Sequence, residues 1–383
     1  MLEMSELVDA ATTKAGSDDF GDDSWQEGLE VLLHALRKEG SLNDLGQDVF
    51  TDQIIGFLAN RLAVEKCYVT HPEIADEEIA APLFGLGMPR TGSTALSFLL
   101  ACDPSRRVLR TWEASTPCPP PETDTEATDP RIAASQAGID VVNEMFPDFA
   151  GMLPSSATGP QECLLLMALE FRSQIFEGMA LIPTYAAWLL SCDMEPAYRY
   201  HKRVLKLLQW RCPPRRWWLK TPSHMASIRA LDVVYPDARF VMTHRDIAAV
   251  LPSLCALKQA LSRPLLDHLD LQALGRFETE VWSESLHRLV EFRDDAGNES
   301  RFFDVAFSDV QHDPLTAVQE LYSAMGDELT LQSQEAMTRW WSGNSDNRST
   351  GPRPDPSEFG LDQLALRAEF AFYHRRFGIA LEA

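Results

Sequence analysis

The residues best suited to chemistry form one short run, Gly87-Met88-Pro89-Arg90-Thr91-Gly92-Ser93-Thr94. Two glycines with four residues between them, followed by Ser-Thr, have the spacing of a loop that wraps a phosphate. The run Pro82-Leu83-Phe84-Gly85-Leu86 before it reads as a buried strand, and Ser93 to Ala101 after it as a helix. Backbone N–H groups of such a loop, with the positive end of the helix, make an anion site that the glycines let the backbone approach closely. Nucleotide triphosphatases place a lysine where this chain has Ser93, and the loop's single cation is Arg90. Without the lysine that reaches the β- and γ-phosphates, a kinase or GTPase lacks its main electrostatic element, and no partner aspartate for magnesium follows the candidate strands. The loop therefore fits a donor with no γ-phosphate. A glycine turn used only for close strand–helix packing is the plain alternative.

Two further runs belong to the same pattern. Phe240-Val241-Met242-Thr243-His244 reads as a strand that ends in Arg245, with Ser253 eight residues on. Arg245 would leave the strand at its carboxyl edge, and Ser253 would face the same pocket two helical turns later. An ion pair of Arg245 with Asp246 or Asp309, and a solvated Ser253, are the alternatives. Trp217-Trp218-Leu219-Lys220 is a short aromatic strand, continued by Thr221-Pro222-Ser223-His224.

In this order the three runs resemble the sulfotransferases that use 3′-phosphoadenosine 5′-phosphosulfate (PAPS). The likeness is to the arginine-bearing loop of tyrosylprotein and bacterial small-molecule members. It extends in order over roughly residues 81–380, with Glu358-Phe359-Gly360-Leu361 and the amphipathic stretch after it similar to the end of bacterial members. The resemblance implies PAPS as donor and no metal. Arg90, Thr91, Gly92, Ser93 and Thr94 would hold the 5′-phosphosulfate, Arg245 and Ser253 the 3′-phosphate. Lys220 would add a cation beside the sulfuryl group or the leaving oxygen. The catalytic histidine and the glycine-rich late loop of cytosolic sulfotransferases are not evident, and the stretch Ser349-Thr350-Gly351-Pro352-Arg353 is a weak substitute for the latter.

Sulfuryl transfer resembles phosphoryl transfer: in-line displacement, assisted by charge stabilisation at the peripheral and leaving oxygens. Arg90, Lys220 and the loop N–H groups would supply that charge, and a neutral acceptor hydroxyl also needs a base. Three residues compete. Glu113, after the short strand that begins at Arg107, matches the region of the catalytic glutamate in arginine-loop sulfotransferases and is the first choice; its alternative is a pair with Arg110. Glu162, in Gly159-Pro160-Gln161-Glu162, resembles a recurrent element of bacterial relatives and opens a long apolar helix; its alternative is simply favouring that helix's N-terminus. His224 has the right ordinary pKa, but can equally orient substrate, cap its helix or sit satisfied in the core.

The elements that must position these residues alternate strand and helix from about Ala81, with a further strand at Arg301 to Val305. That order predicts an α/β fold of phosphate-loop type, a mostly parallel sheet flanked by helices. Residues 1–23, rich in Asp, Ser and Gly, read as disordered. Residues 24–80 read as an accessory helical element, with a capping box at Ser24 and Glu27 and a second helix from Leu45 to Tyr68. The sulfotransferase domain then spans 81–383. Pro117 to Pro130 is an acidic, proline-rich loop, 131–212 a helical insertion on the acceptor side, and Leu361 to Phe377 has helical spacing. The insertion's large apolar residues (Phe146, Phe149, Leu165, Met167, Phe171, Phe176, Tyr185, Trp188) read first as helix packing. Their other reading is a pocket for a lipid-like or aromatic alcohol, which makes a small, hydrophobic hydroxyl acceptor the expectation.

A net charge of −23 speaks against nucleic-acid binding and makes a polyanionic glycan acceptor unattractive. Seven cysteines, an odd number without a CxxC pair, speak against a disulfide framework and zinc. With no long apolar run and no signal-like start, the expected compartment is the cytoplasm, without a membrane span. A nucleotide-dependent kinase with a divergent loop, or a nucleotide-binding module without turnover, are the rival functions.

Overall fold

Parallel strands covered on both faces read as near-continuous apolar runs, as Leu83-Phe84-Gly85-Leu86 and Phe240-Val241-Met242 do at the centre of this protein. The computed structural model describes residues 3–152, 154–213, 215–344 and 353–382. Five strands, β1 (Leu83–Leu86), β2 (Arg106–Val108), β3 (Arg216–Lys220), β4 (Arg239–His244) and β5 (Phe302–Ala306), form one sheet in the order β2-β3-β1-β4-β5. Every pairing is parallel, with Leu83 opposite both Trp218 and Arg239. The α/β architecture anticipated above is therefore present.

The helices follow in chain order. α1 (Met4–Ala15), α2 (Ser24–Glu39) and α3 (Asp44–Thr70) precede β1, α4 (Ser93–Ala101) follows it, and α5 (Thr111–Ser115) follows β2. α6 (Pro130–Met145), α7 (Leu164–Met167), α8 (Pro183–Ser191) and α9 (Glu195–Gln209) lie between β2 and β3, and α10 (Ile228–Val234) between β3 and β4. α11 (Ile247–Ser262) and α12 (Leu271–Asp294) lead to β5, and α13 (Phe307–His312), α14 (Pro314–Met325), α15 (Leu331–Gly343), α16 (Gln363–Glu369) and α17 (Ala371–Phe377) follow it. Strand side chains alternate between two cores. Leu83, Trp218, Val241 and Val305 pack with Leu96 and Leu99 of α4 and Leu321 of α14. Phe84, Trp217, Leu219, Phe240 and Met242 pack with Leu205 and Leu208 of α9 and Leu289 of α12. No helix among the described residues is long and apolar enough to cross a membrane.

Three expectations are corrected. The stretch 1–23, read as disordered, contains α1, whose Leu7 and Ala11 are fully buried. Its buried stripe is just Leu7 and Ala11, about one turn apart, among acidic residues, too little periodicity to stand out. Behind it, Arg61 of α3 fixes the chain by donating to the carbonyls of Phe20 (2.7 Å) and Asp22 (3.2 Å). Second, the insertion 131–212 is not helical throughout. After α6 the chain runs irregularly to Glu162 and returns to the sheet: Gln161 N–H donates to Leu109 (2.7 Å) and Cys163 N–H to Lys220 (3.0 Å). The long apolar helix expected after Glu162 is the single turn of α7, and the chain turns left-handed at Phe171 (φ 50°). Third, the helical stretch 361–377 is split into α16 and α17 at Phe370.

Candidate active site

Because all five strands run the same way, the loops after β1, β3 and β4 emerge at one edge of the sheet, where the strand order reverses and α/β folds bind ligands. The three sequence runs meet there. After β1 the chain turns through Gly87 (φ 112°) and Arg90 (φ 66°) before α4 begins at Ser93. A Cβ on Gly87 would lie 2.4 Å from the Thr243 carbonyl oxygen, so only glycine lets the loop lie this close to β4. Thr91, fully buried, ties the loop down through its hydroxyl, 2.6 Å from the Met88 carbonyl and 2.6 Å from the Thr243 hydroxyl. Ser93 and Thr94 open α4, so the loop N–H groups and the helix dipole face the same space.

Two groups of side chains flank the loop. On the β4 side, Arg245 Nη1 donates to the Arg90 carbonyl (2.9 Å), and Arg90 Nε donates to Ser253 Oγ (3.1 Å). Arg245 and Ser253 thus face one place, as their eight-residue spacing implied, and Arg90, expected at the 5′-phosphosulfate, joins them there. Burial first, and then the neighbouring Arg245 charge, lower the Arg90 pKa from its ordinary value. The Arg90 guanidinium is also held through Nη1, which donates to the Met152 carbonyl (3.0 Å). On the β3 side, Lys220 Nζ donates to Thr94 Oγ1 (3.4 Å) and forms an ion pair with Glu162, whose other oxygen accepts from Thr221 Oγ1 (3.0 Å). Thr221 Oγ1 lies 3.2 Å from Ser223 Oγ.

The three candidate bases occupy quite different surroundings. Glu113, fully buried in α5, accepts from Arg107 Nη2 (2.9 Å), Arg110 Nη2 (2.6 Å) and the Arg110 N–H (3.2 Å). Arg107 also donates to the Leu208 carbonyl (2.8 Å), so this cluster straps β2 to α9. Its carboxylate is closed off by guanidinium groups, the ion-pair alternative noted above. His224 is fully buried, edge-on to Phe84, with Nδ1 2.9 Å from the Tyr198 hydroxyl. Burial, then the adjacent His201, push its pKa well below the ordinary value. Glu162, by contrast, keeps 27% of its side chain exposed while touching Lys220.

Three residues of the site escaped sequence reasoning. Thr221 stands inside the quoted Lys-Thr-Pro-Ser-His run and was legible. Thr243 stands inside the quoted strand, but its bond to Thr91 depends on the pairing of β1 with β4. Glu382, which forms a two-pronged pair with Arg245 (2.7 and 3.0 Å), lies 137 positions away and carries no local signal. In the stretch 349–353, residues 349–352 lie outside the described residues, and Arg353 approaches Glu382 at 3.8 Å.

A parallel sheet with a phosphate loop after its central strand, flanked by an arginine–serine pair and a lysine, defines a class: the chain belongs to the sulfotransferase family, whose profile matches residues 82–330. The crystal structure of sulfotransferase STF9 from Mycobacterium avium superposes with a TM-score of 0.90 at 30% identity, covering 100% of this chain and 98% of that one. Sulfotransferase STF1 from Mycobacterium tuberculosis H37Rv gives a TM-score of 0.87 at 31% identity, covering 97% and 99%. Omega-hydroxy-beta-dihydromenaquinone-9 sulfotransferase Stf3 of Mycobacterium bovis is 29% identical over 114 residues. That match spans 28% of this chain and 28% of the relative's length.

Proposed function

We propose that this sulfotransferase-family member moves the sulfuryl group of PAPS to the hydroxyl of an apolar acceptor, with Glu162 rather than Glu113 as the base. One observation carries the reading. Arg90, Arg245 and Ser253 gather on one side of the phosphate loop, and Lys220, Thr94 and Glu162 on the other. A bisphosphorylated donor needs cations at two separated points, and the transfer needs a cation and a base together at one of them.

In this reading the 5′-phosphosulfate lies against the loop N–H groups, Ser93, Thr94 and the start of α4, and the 3′-phosphate lies against Arg245 and Ser253. Arg90 serves chiefly on the 3′-phosphate side, since its guanidinium bonds Ser253. The acceptor oxygen attacks sulfur in line, and the bond from sulfur to the 5′-phosphate oxygen breaks. Lys220 and the helix end stabilise the charge arriving on that oxygen, and the acceptor's proton passes to Glu162. Each Glu162 oxygen keeps a lone pair beyond the ones used by Lys220 and Thr221, so the carboxylate can accept from a hydroxyl without first leaving them.

The relative named as an omega-hydroxy-beta-dihydromenaquinone-9 sulfotransferase supports an apolar, hydroxyl-bearing acceptor. The test is transfer of labelled sulfuryl from PAPS to a hydroxylated isoprenoid quinone, followed by chromatography. Labelled lipid product supports the reading. Transfer only to polar sugars or to protein tyrosine would overturn the acceptor class.

A further inference from the structure

Arg245 is not left open to solvent. Its Nη1 is committed to the Arg90 carbonyl (2.9 Å), and its remaining fork, Nε and Nη2, grips the two carboxylate oxygens of Glu382 at 2.7 and 3.0 Å. Arg245 and Glu382 are 17% and 25% exposed, and Arg353 adds its charge at 3.8 Å from the same carboxylate. The backbone of Glu382 is anchored independently of this grip. Its N–H donates to Asp246 Oδ2 (2.8 Å), and its carbonyl accepts from Arg367 Nη2 (2.6 Å). Arg367 is itself paired with Asp246 at 2.6 Å, and Asp246 caps the start of α11. The segment after α17 is thus pinned to the residue that follows Arg245, with the Glu382 side chain delivered onto the guanidinium fork.

A phosphate engages the same two-pronged edge of a guanidinium as a carboxylate does. We propose that Glu382 is a built-in competitor for the donor's 3′-phosphate: it occupies the Arg245 fork until a 3′-phosphorylated nucleotide displaces its side chain, and it returns to assist release of the bisphosphate product. This rests on the reading that Arg245 holds the 3′-phosphate. Because the Glu382 backbone is held by Asp246 and Arg367, the exchange needs only side-chain rotation, not unfolding of the segment. Glu382 also keeps the fork ordered between turnovers, which makes it a positioning residue and not a catalytic one.

The consequence has a definite sign. A ligand that must displace a competitor binds more weakly by the fraction of protein in which the fork is free. A two-pronged pair at this partial exposure makes that fraction small enough to weaken binding by about 3- to 30-fold. Removing the carboxylate should therefore tighten binding, but only for ligands that use Arg245.

The experiment is calorimetric titration of wild type, Glu382→Gln and Glu382→Ala with adenosine 3′,5′-bisphosphate and, separately, with adenosine 5′-monophosphate. Arg245→Ala serves as the reference. The proposal expects both Glu382 variants to bind the bisphosphate about 3- to 30-fold more tightly, with affinity for the monophosphate unchanged. Equal or weaker bisphosphate binding by both variants, while Arg245→Ala still lowers it, overturns the competitor role alone. Bisphosphate affinity untouched by Arg245→Ala removes instead the reading on which the proposal rests. Tightening toward both nucleotides alike would mark a general charge effect and also refute it.

Discussion

Glu162→Gln keeps the length of the side chain and an acceptor for Thr221 while removing the group proposed to take the proton. Losing a general base costs about 10²- to 10⁴-fold in turnover, roughly 3–5 kcal/mol of barrier. The structure also says where the loss must not appear. Glu162 is paired with Lys220, which touches Thr94 of the phosphate loop. Neutralising Glu162 unmasks that ammonium for the donor, so affinity for adenosine 3′,5′-bisphosphate should hold or rise while kcat falls. Glu113→Gln makes the counterpart. It leaves Arg107 and Arg110 short of a partner in a buried cluster, where breaking a pair costs about 3–5 kcal/mol of stability. Its expected signature is a lowered Tm with ordinary kcat per folded molecule. The assay is single-turnover transfer from PAPS beside thermal unfolding and bisphosphate titration for each variant. Glu162→Gln with undiminished turnover, or Glu113→Gln with normal Tm and a kcat lowered by 10²-fold or more, would refute the assignment.

Other consequences are as direct. Gly87→Ala would drive a methyl into the Thr243 carbonyl from a φ of 112°, so the loop must move, and bisphosphate affinity in a titration should fall by ~10-fold or more. Glu177 is buried, and that burial raises its pKa from 4.5 to about 8. Between those values the folded protein holds a proton that the unfolded chain has lost. Stability should therefore decline as pH rises through the window, by at most about 1.4 kcal/mol per unit, and Glu177→Gln should flatten a denaturant series across it. Leu7→Ala should lower stability by about 2–4 kcal/mol in chemical denaturation if α1 is an integral part of the fold. A loss near zero would return the first residues to the disorder their composition suggests.

What could be read beforehand was whatever is encoded locally. β1, β3 and β4 each carry a buried apolar core (Leu83-Phe84, Trp217-Trp218-Leu219, Phe240-Val241-Met242), and β1 runs straight into the glycine loop, so strand, loop and helix after Leu83 were legible together. The eight-residue step from Arg245 to Ser253 was legible for the same reason, since a helix converts that spacing into a shared face. The choice of base was not. By position Glu113 came first, ahead of Glu162 and His224, and what sets Glu162 beside Lys220 is where the irregular stretch before α7 docks. Backbone bonds to Leu109, just after β2, and to Lys220 of β3 fix that docking, and each joins residues more than 50 positions apart. The hold of Glu382 on Arg245 is more distant still, and the burial of Leu7 depends on a partner surface on α3 that no local pattern announces.

The central claim is that this site takes a 3′-phosphorylated adenine nucleotide without a γ-phosphate. Titration of the wild-type protein with adenosine 3′,5′-bisphosphate in the presence of a chelator, and separately with ATP and magnesium, tests it most directly. The account predicts metal-independent binding of the bisphosphate, lost on Arg245→Ala, and weak binding of ATP. Tight, magnesium-dependent ATP binding with no response to the bisphosphate would contradict it.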